Sequence, residues 1–346
     1  MIDAREVTDS RLCRRKSRNV HYLIIMIVLV ILVGICSISL GSYAMTPIEV
    51  ARTLFAATGA DGMMQKIVFD IRLPRILLAI LSGMAMALSG VVLQVLTRNA
   101  LAAPGLIGVE AGAGTAVLLA MIVWRSSLPV ELYPVAAFVG GVSVALLVAA
   151  LAWNRSLAPL RLILVGVGIT AILAAVADTL ITYGRIGEVG SALLWLAGSL
   201  HRADWANVRS QALWLMISGI PVLLLSRHFD LFQLGNAVAA SRGLDTAKLR
   251  IAALFLSVML TASAVANVGT MSFIGLLAPH AARLLVGDRH HLLLPLAAMI
   301  GAAIVLVSDT IGRTIFAPLQ LPAGLVVAVI SAPYILYLLS RNGASR

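Results

Sequence analysis

Between Arg72 and Asn99 the chain reads RLPRILLAILSGMAMALSGVVLQVLTRN. Two arginines flank Pro74, an unbroken apolar run follows, and the polar elbow Thr97-Arg98-Asn99 closes it. A run of about 20 apolar residues spans a bilayer core as a helix, so this stretch fixes a crossing with cations at one face and an elbow at the other. Comparable runs recur along the whole chain, and the charged residues gather between them. The hydrophobic fraction is 60% against 12% charged, with a mean hydropathy of +1.00. Soluble domains hold roughly 45–50% apolar residues, so no water-soluble fold can bury this one. The runs are continuous rather than alternating, which excludes a β-barrel. The expected fold class is an all-α polytopic membrane protein of about ten transmembrane helices.

In chain order, residues 1–20 form a basic tail with Arg11, Arg14, Arg15, Lys16 and Arg18, followed by an apolar run from Tyr22 to Leu40. Signal-peptide cores are only about 7–15 residues, so this run reads as a retained first helix with the tail inside the cell. Residues 41–71 are expected outside. There Thr46-Pro47-Ile48-Glu49 has the form of a helix start, and Gly59–Gly62 is expected to break the short helix that follows. Further helices are expected over Pro74–Leu96, Leu101–Trp124, Tyr133–Trp153, Leu160–Tyr183, Gln211–Ser226, Ile251–Val268, Phe273–Val286, Leu292–Ile311 and from Gln320-Leu321-Pro322 to Ser340. Arg125–Glu131 is read as an outer loop and Asn154-Arg155 as an inner turn. Ala192–Leu200 is too short to span and reads as a re-entrant or surface helix on the outer side. Arg227–Arg250 is the longest inner polar stretch. This count places both termini in the cytoplasm of a cell whose cytoplasmic (inner) membrane holds the chain, with Arg341 and Arg346 closing it inside. The chain is expected to be a basic tail over residues 1–20 and a single membrane domain over residues 21–346.

The net charge of +11 comes from 26 basic and 15 acidic residues. Arginine held in cytoplasmic loops accounts for it, and no basic face on a soluble domain points to nucleic acid. Cys13 lies in the tail and Cys36 in the first run, so neither a disulfide nor a metal site is expected. No phosphate-loop, HExxH, CxxC or GxSxG motif occurs in the sequence, so no catalytic residue is assigned.

Three groups of residues stand out. Arg72, Arg75 and Arg313 fall at the outer face, against the positive-inside bias. They are either a cationic rim for an acidic partner or snorkelling anchors of helix ends. Asp309, four residues before Arg313, suits an i,i+4 pair. In residues 230–249, Leu234, Gly235, Ala239, Arg242, Gly243 and Leu244 make a stretch of little bulk. It is either a helix that fits a groove in another protein or an ordinary loop. Third, Pro279 and His280 near the inner end of one helix form either a titrating switch or a polar residue satisfying the backbone that proline frees. Glu110 and Asp178 are acids in or near the membrane, with open roles. Gly108/Gly112 and Ala85/Ser89 are small-residue pairs that allow close helix packing.

The segments RLPR (72–75), SGVVLQ (89–94), RNALAAPGLIGVEAGAG (98–114), WLAGSL (195–200), SFIGLLAPHAARLL (272–285) and LPAGLVVAVISAPYILYLL (321–339) together resemble the FecCD-type permeases of ATP-driven importers. The resemblance runs from about residue 45 to near the end. It implies a BtuC-like type II ABC importer permease fold and a chain that is itself no enzyme. It implies a second permease subunit, in a homo- or heterodimer, and a cytoplasmic ATPase pair that holds the ATP and magnesium. It also implies a periplasmic or lipid-anchored substrate-binding protein. Arginines at the positions of Arg72, Arg75 and Arg313 would dock that binding protein, and the 230–249 stretch would be the element that couples to the ATPase. The elbow Asn99-Ala100-Leu101-Ala102 departs from the family's usual Asn-Pro-Leu-Ala, and Glu110 stands where relatives often carry a neutral residue. The segments at 160–173 and 192–200 look most like ferric siderophore and ferric citrate permeases. The implied cargo is an iron(III)-siderophore complex, with vitamin B12 or haem as the alternative. The competitor from another class is a proton-driven secondary transporter using Asp178 or Glu110.

Overall fold

The computed structural model describes residues 4–343 apart from 42, 44, 56–61, 125–128 and 153–158. The break expected at residues 59–61, most of the loop from Arg125, the turn at Asn154-Arg155, Arg346 and the side chain of Cys13 therefore lie outside the described residues. Among the described residues every regular element is helical.

The first helix, α1, runs Ala4–Ser39, and α2 is Pro47–Phe55. The start of α2 is a capping box: the Thr46 N–H donates to Glu49 Oε2 at 2.7 Å, and the Glu49 N–H reaches back to Thr46 Oγ1 at 3.3 Å. That backbone bond, with one from the Thr46 hydroxyl, holds the Glu49 carboxyl below the usual carboxylate range. The next helix begins earlier than the sequence suggested. α3 (Gly62–Gln65) passes through a π-helical turn, Lys66–Arg72, into α4 (Leu73–Thr97), so Gly62–Thr97 is one apolar helix of 36 residues. No proline or glycine lies between Met63 and Leu73, and a π turn absorbs the extra residue without breaking the ladder.

A 3-10 turn at Pro104–Ile107 precedes α5 (Val109–Leu118), which continues as a π turn to Val123. The expected start at Leu101 is thus displaced, because Pro104 and Gly108 (φ +79) together hold a turn that a helix could not run through. Then come α6 (Tyr133–Ala152), α7 (Pro159–Tyr183), α8 (Ile186–Leu196), α9 (Trp205–Trp214), α10 (Ile220–Leu224), α11 (Ser226–Gln233) and α12 (Asn236–Ser241). They are followed by α13 (Thr246–Val268), α14 (Ile274–Val286), α15 (His290–Thr314) and α16 (Ala323–Gly343). Among the described residues six helices are long and apolar enough to cross a membrane, and the bent pair Trp205–Leu224 with Ser226–Gln233 makes up to seven. The shorter apolar helices at Val109–Val123, Ile274–Val286 and Ala323–Leu336 complete the expected set of about ten. The short helix expected at Ala192–Leu200 begins earlier, at Ile186, where Arg185 in extended conformation ends the preceding bend.

Antiparallel α4 and α15 form the central pair. Gly83 and Gly301 meet so closely that a Cβ on either would fall 2.3–2.4 Å from the other's carbonyl oxygen. Gly90 meets Gly275 of α14 more tightly still. Such small-residue contacts replace the hydrophobic drive that lipid does not supply. Polar side chains add to them: Ser89 Oγ of α4 lies 2.7 Å from Ser257 Oγ and 2.6 Å from Thr261 Oγ1 of α13. By contrast α7 is largely exposed along its free face, where Asp178 sits.

Candidate functional site

The chemistry concentrates at the two ends of the α4–α15 pair. α4 has 25 residues, so its ends stand about 37 Å apart at 1.5 Å per residue.

At the first end Arg72, Arg75 and Arg313 come together, but not as an exposed rim. They are only 5%, 7% and 6% exposed. Arg75 donates Nε and Nη2 to the Asp309 carboxylate at 2.8–3.0 Å and Nη1 to Gln320 Oε1 at 2.8 Å. Arg72 donates to the carbonyls of Ile38 and Tyr43. Arg313 donates to Leu40 O at 2.7 Å and to the Ser37 carbonyl and hydroxyl. The last carbonyls of α1 have no helical partner and carry the negative end of its dipole, so two guanidinium groups cap them. The helix-anchoring geometry weighed in the sequence is thus present, with burial deeper than snorkelling implies. The expected Asp309–Arg313 pair is present but loose, at 3.7 Å, because Asp309 turns its oxygens to Arg75. No sequence spacing signals a pair whose members lie 234 residues apart.

At the second end the elbow turns back on itself. Arg98 adopts the left-handed conformation (φ 50), and Asn99 Oδ1 accepts from the Leu101 N–H at 2.9 Å. That Asx turn closes the elbow with alanine, not proline, at position 100. The Arg98 side chain reaches across to α11 and α12. It donates to Phe232 O at 3.2 Å and to Asn236 Oδ1 at 2.9 Å. Arg98 and Arg250 sit over the buried Phe232 ring at 5.3 and 5.2 Å. Phe232, Asn236 and Arg250 were not singled out in the sequence, because their roles depend on partners from distant segments.

The 230–249 stretch is helical rather than a loop. Gly235 (φ +109) turns the chain into α12, and Gly243 (φ +78) ends it. The N–H groups of Gly243 and Leu244 bond back to Ala240 and Ala239 carbonyls, closing the helix in a left-handed cap. Ala239 is buried, Leu244 is half-buried, and Leu234 (64% exposed), Val238 and Arg242 face outward. Asp245 then caps α13 by accepting from the Ala247 and Lys248 N–H groups at 3.1 and 3.0 Å. The bonds from Lys248, backbone first, hold its carboxyl below the usual carboxylate range. The neighbouring α11 is pinned to α15: Asp230 Oδ1 accepts from the His290 N–H at 3.0 Å and lies 2.7 Å from His290 Nδ1.

Glu110 and His280 belong to neither cluster, and Cys36 immediately precedes Ser37 of the first. Glu110 lies in the first turn of α5 with Ser272 Oγ at 3.5 Å. His280 packs edge-on against Tyr334, with ring centroids 6.2 Å apart, and Pro279 lies inside α14. Cys36 is free and exposed.

A helical bundle with a buried cationic cluster at one end and a short, outward-facing helix at the other is the frame of a multi-pass membrane transport subunit. The chain belongs to the FecCD transport family, whose model matches residues 28–341. It is 39% identical over 326 residues to the Fe(3+)-citrate import system permease protein YfmE of Bacillus subtilis, covering 94% of this chain and 96% of that protein. It is 38% identical over 316 residues to the achromobactin transport system permease protein CbrC of Dickeya dadantii, covering 91% and 90%. Among solved structures it matches an inward-facing conformation of a metal-chelate type ABC transporter with a TM-score of 0.82 and 28% identity, over 92% of this chain and 98% of that one.

Proposed function

We propose that this chain is the permease subunit of an ATP-driven importer that carries iron(III) chelates of the siderophore or citrate type across the cytoplasmic membrane. The observation that supports it most is the pairing of two specialised ends on one rigid helix pair, in a chain whose relatives are named for iron-chelate import. In this reading both termini lie in the cytoplasm with α12, and the basic tail follows the positive-inside bias. Residues 21–346 act as one membrane domain. A second permease subunit completes the path. A substrate-binding protein delivers cargo at the arginine end, and an ATPase pair, which holds ATP and magnesium, receives α12 in a groove.

The residues divide the work accordingly. Leu234, Gly235, Ala239, Arg242, Gly243 and Leu244 shape the knuckle the ATPase grips, with Leu234 as its apolar tip. Arg98 and the Asp230–His290 contact pass its movement to α4 and α15. Those helices carry it to the cluster of Arg72, Arg75 and Arg313, where the binding protein docks. Because the three arginines are buried, the docking surface is the surface they organise as much as the guanidinium groups themselves.

Reconstitution tests the reading. The chain, its permease partner, an ATPase pair and a loaded binding protein are placed in proteoliposomes with ATP on the ATPase side. Uptake of a radiolabelled ferric chelate is expected to require ATP and to continue in the presence of an uncoupler. Uptake without the ATPase that collapses with the uncoupler would instead make this a proton-driven carrier.

A second expectation concerns the knuckle alone. Leu234 is exposed, so Leu234→Asp should leave folding intact. Burying a leucine contributes about 1.5–3 kcal/mol, so ATPase association should weaken by about tenfold or more. Surface plasmon resonance between the nanodisc-held permease and the ATPase reads this, and unchanged affinity would remove α12 from the interface.

A further inference from the structure

A groove of about 490 Å³ opens between α6 and α13. Its floor is Ala145 of α6 with Leu254, Val258 and Met259 of α13, all buried, and its rims are the exposed Leu146 and Phe255. The lining is apolar throughout. The space exists because α6 offers alanine at 145 and again at 149, where a larger side chain would fill the gap between the helices. The groove stops one turn short of Phe138, which packs on Trp214 of α9 with ring centroids 4.7 Å apart.

Such a groove on a membrane helix pair takes either an acyl chain or another apolar helix, and its length and charge choose between them. α13 leaves the α12 end at Thr246. From Lys248 to Met259 is eleven residues, about 17 Å at 1.5 Å per residue. That is one half of a hydrocarbon core of about 30 Å, so the groove spans a single leaflet, whereas a crossing helix needs both. Lys248 stands three residues before Ile251 and seven before Phe255, both of which line the groove, so it sits at the mouth on the same face of α13. Its side chain is 86% exposed, and its pair with the half-exposed Asp245, at 3.3 Å, contributes little. Asp245 directs its other oxygen to the Ala247 and Lys248 N–H groups. A lipid phosphate at that height meets a cation beside the amino end of a 23-residue helix.

We propose that the α6–α13 groove binds one acyl chain of an anionic phospholipid from the cytoplasmic leaflet, with the phosphate held at Lys248. Anionic headgroups are what the cytoplasmic leaflet presents to basic residues at helix ends. The inference goes beyond the importer reading and takes from it only the sidedness of the α12 end. The bound lipid braces the start of α13 against α6, directly after the knuckle of α12.

Native mass spectrometry of the full chain in detergent tests this, with dioleoylphosphatidylglycerol and dioleoylphosphatidylcholine as probes. The first phosphatidylglycerol should be retained over phosphatidylcholine by about fivefold, the worth of one lysine beside an anionic surface. Lys248→Gln, at an exposed position, should bring the two lipids level. Ala149→Trp fills the groove and should abolish retention of both. Leu213→Trp, on an exposed position of α9 outside the groove, should retain phosphatidylglycerol as the unmodified chain does. Equal retention of the two lipids by the unmodified chain would overturn the proposal, as would an unchanged preference in Lys248→Gln. A lipid-free dimer of the chain would also overturn it, by showing that a second copy covers the groove. Detergent offers lipid from every side, so these results stand apart from the sidedness and the ATP-dependent uptake, each of which has its own measurement.

Discussion

Replacing Asp309 with leucine is expected to cost about 3–5 kcal/mol of stability. Asp309 is 1% exposed and receives three hydrogen bonds from Arg75. Removing it leaves the Arg75 guanidinium buried with Gln320 as its partner, and takes from Arg313 its nearby carboxylate. A buried charge without a counter-charge is far more costly than the pair itself is favourable. The double substitution Asp309→Leu with Arg75→Leu should therefore recover a large part of the loss, because it removes both charges. Recovery stays incomplete, since Arg313 still lacks its acid. Thermal melts of the purified variants in detergent read this as a double-mutant cycle. If the single and double variants melt together, the pair does not hold α4 to α15.

The second large effect is steric. Gly90→Leu should abolish folding rather than weaken it. A Cβ at position 90 would lie 1.8 Å from the Gly275 carbonyl oxygen, and backbone on both sides has no rotamer with which to yield. Overpacking a core costs about 1–3 kcal/mol when side chains can shift, and here α4 and α14 must part instead. Gly190 in α8 is the control, since nothing lies within 4 Å of a Cβ there. Gly190→Ala should be neutral, or stabilising by up to about 1 kcal/mol through helix propensity. Fluorescence-detected size exclusion of the two variants separates the cases. A monodisperse Gly90→Leu peak at the wild-type position would show that the close α4–α14 contact does not hold.

The membrane class, the approximate number of crossings and the family were legible in the sequence, because apolar run length and ordered motifs are local signals. Arg72, Arg75 and Arg313 were legible as informative charges, yet their burial was not. Burial depends on the carboxyl end of α1 folding over them, and on an aspartate contributed by α15. The 230–249 stretch shows the same limit. Its small residues marked it out, while its helical state needed Gly235 and Gly243 in left-handed backbone conformations and Arg98 reaching in from the elbow. Helix boundaries moved where a π turn carried α3 into α4, since a π turn leaves no mark in hydropathy.

The central claim is that the arginine end and the α12 end lie on opposite sides of the membrane. Labelling with a membrane-impermeant maleimide tests it most directly, using Arg202→Cys beside the first end and Leu234→Cys at the second, both exposed, in chains with Cys13 and Cys36 replaced by serine. Intact spheroplasts should label position 202 at once and position 234 only after permeabilisation. Labelling of both positions in intact spheroplasts would contradict the account.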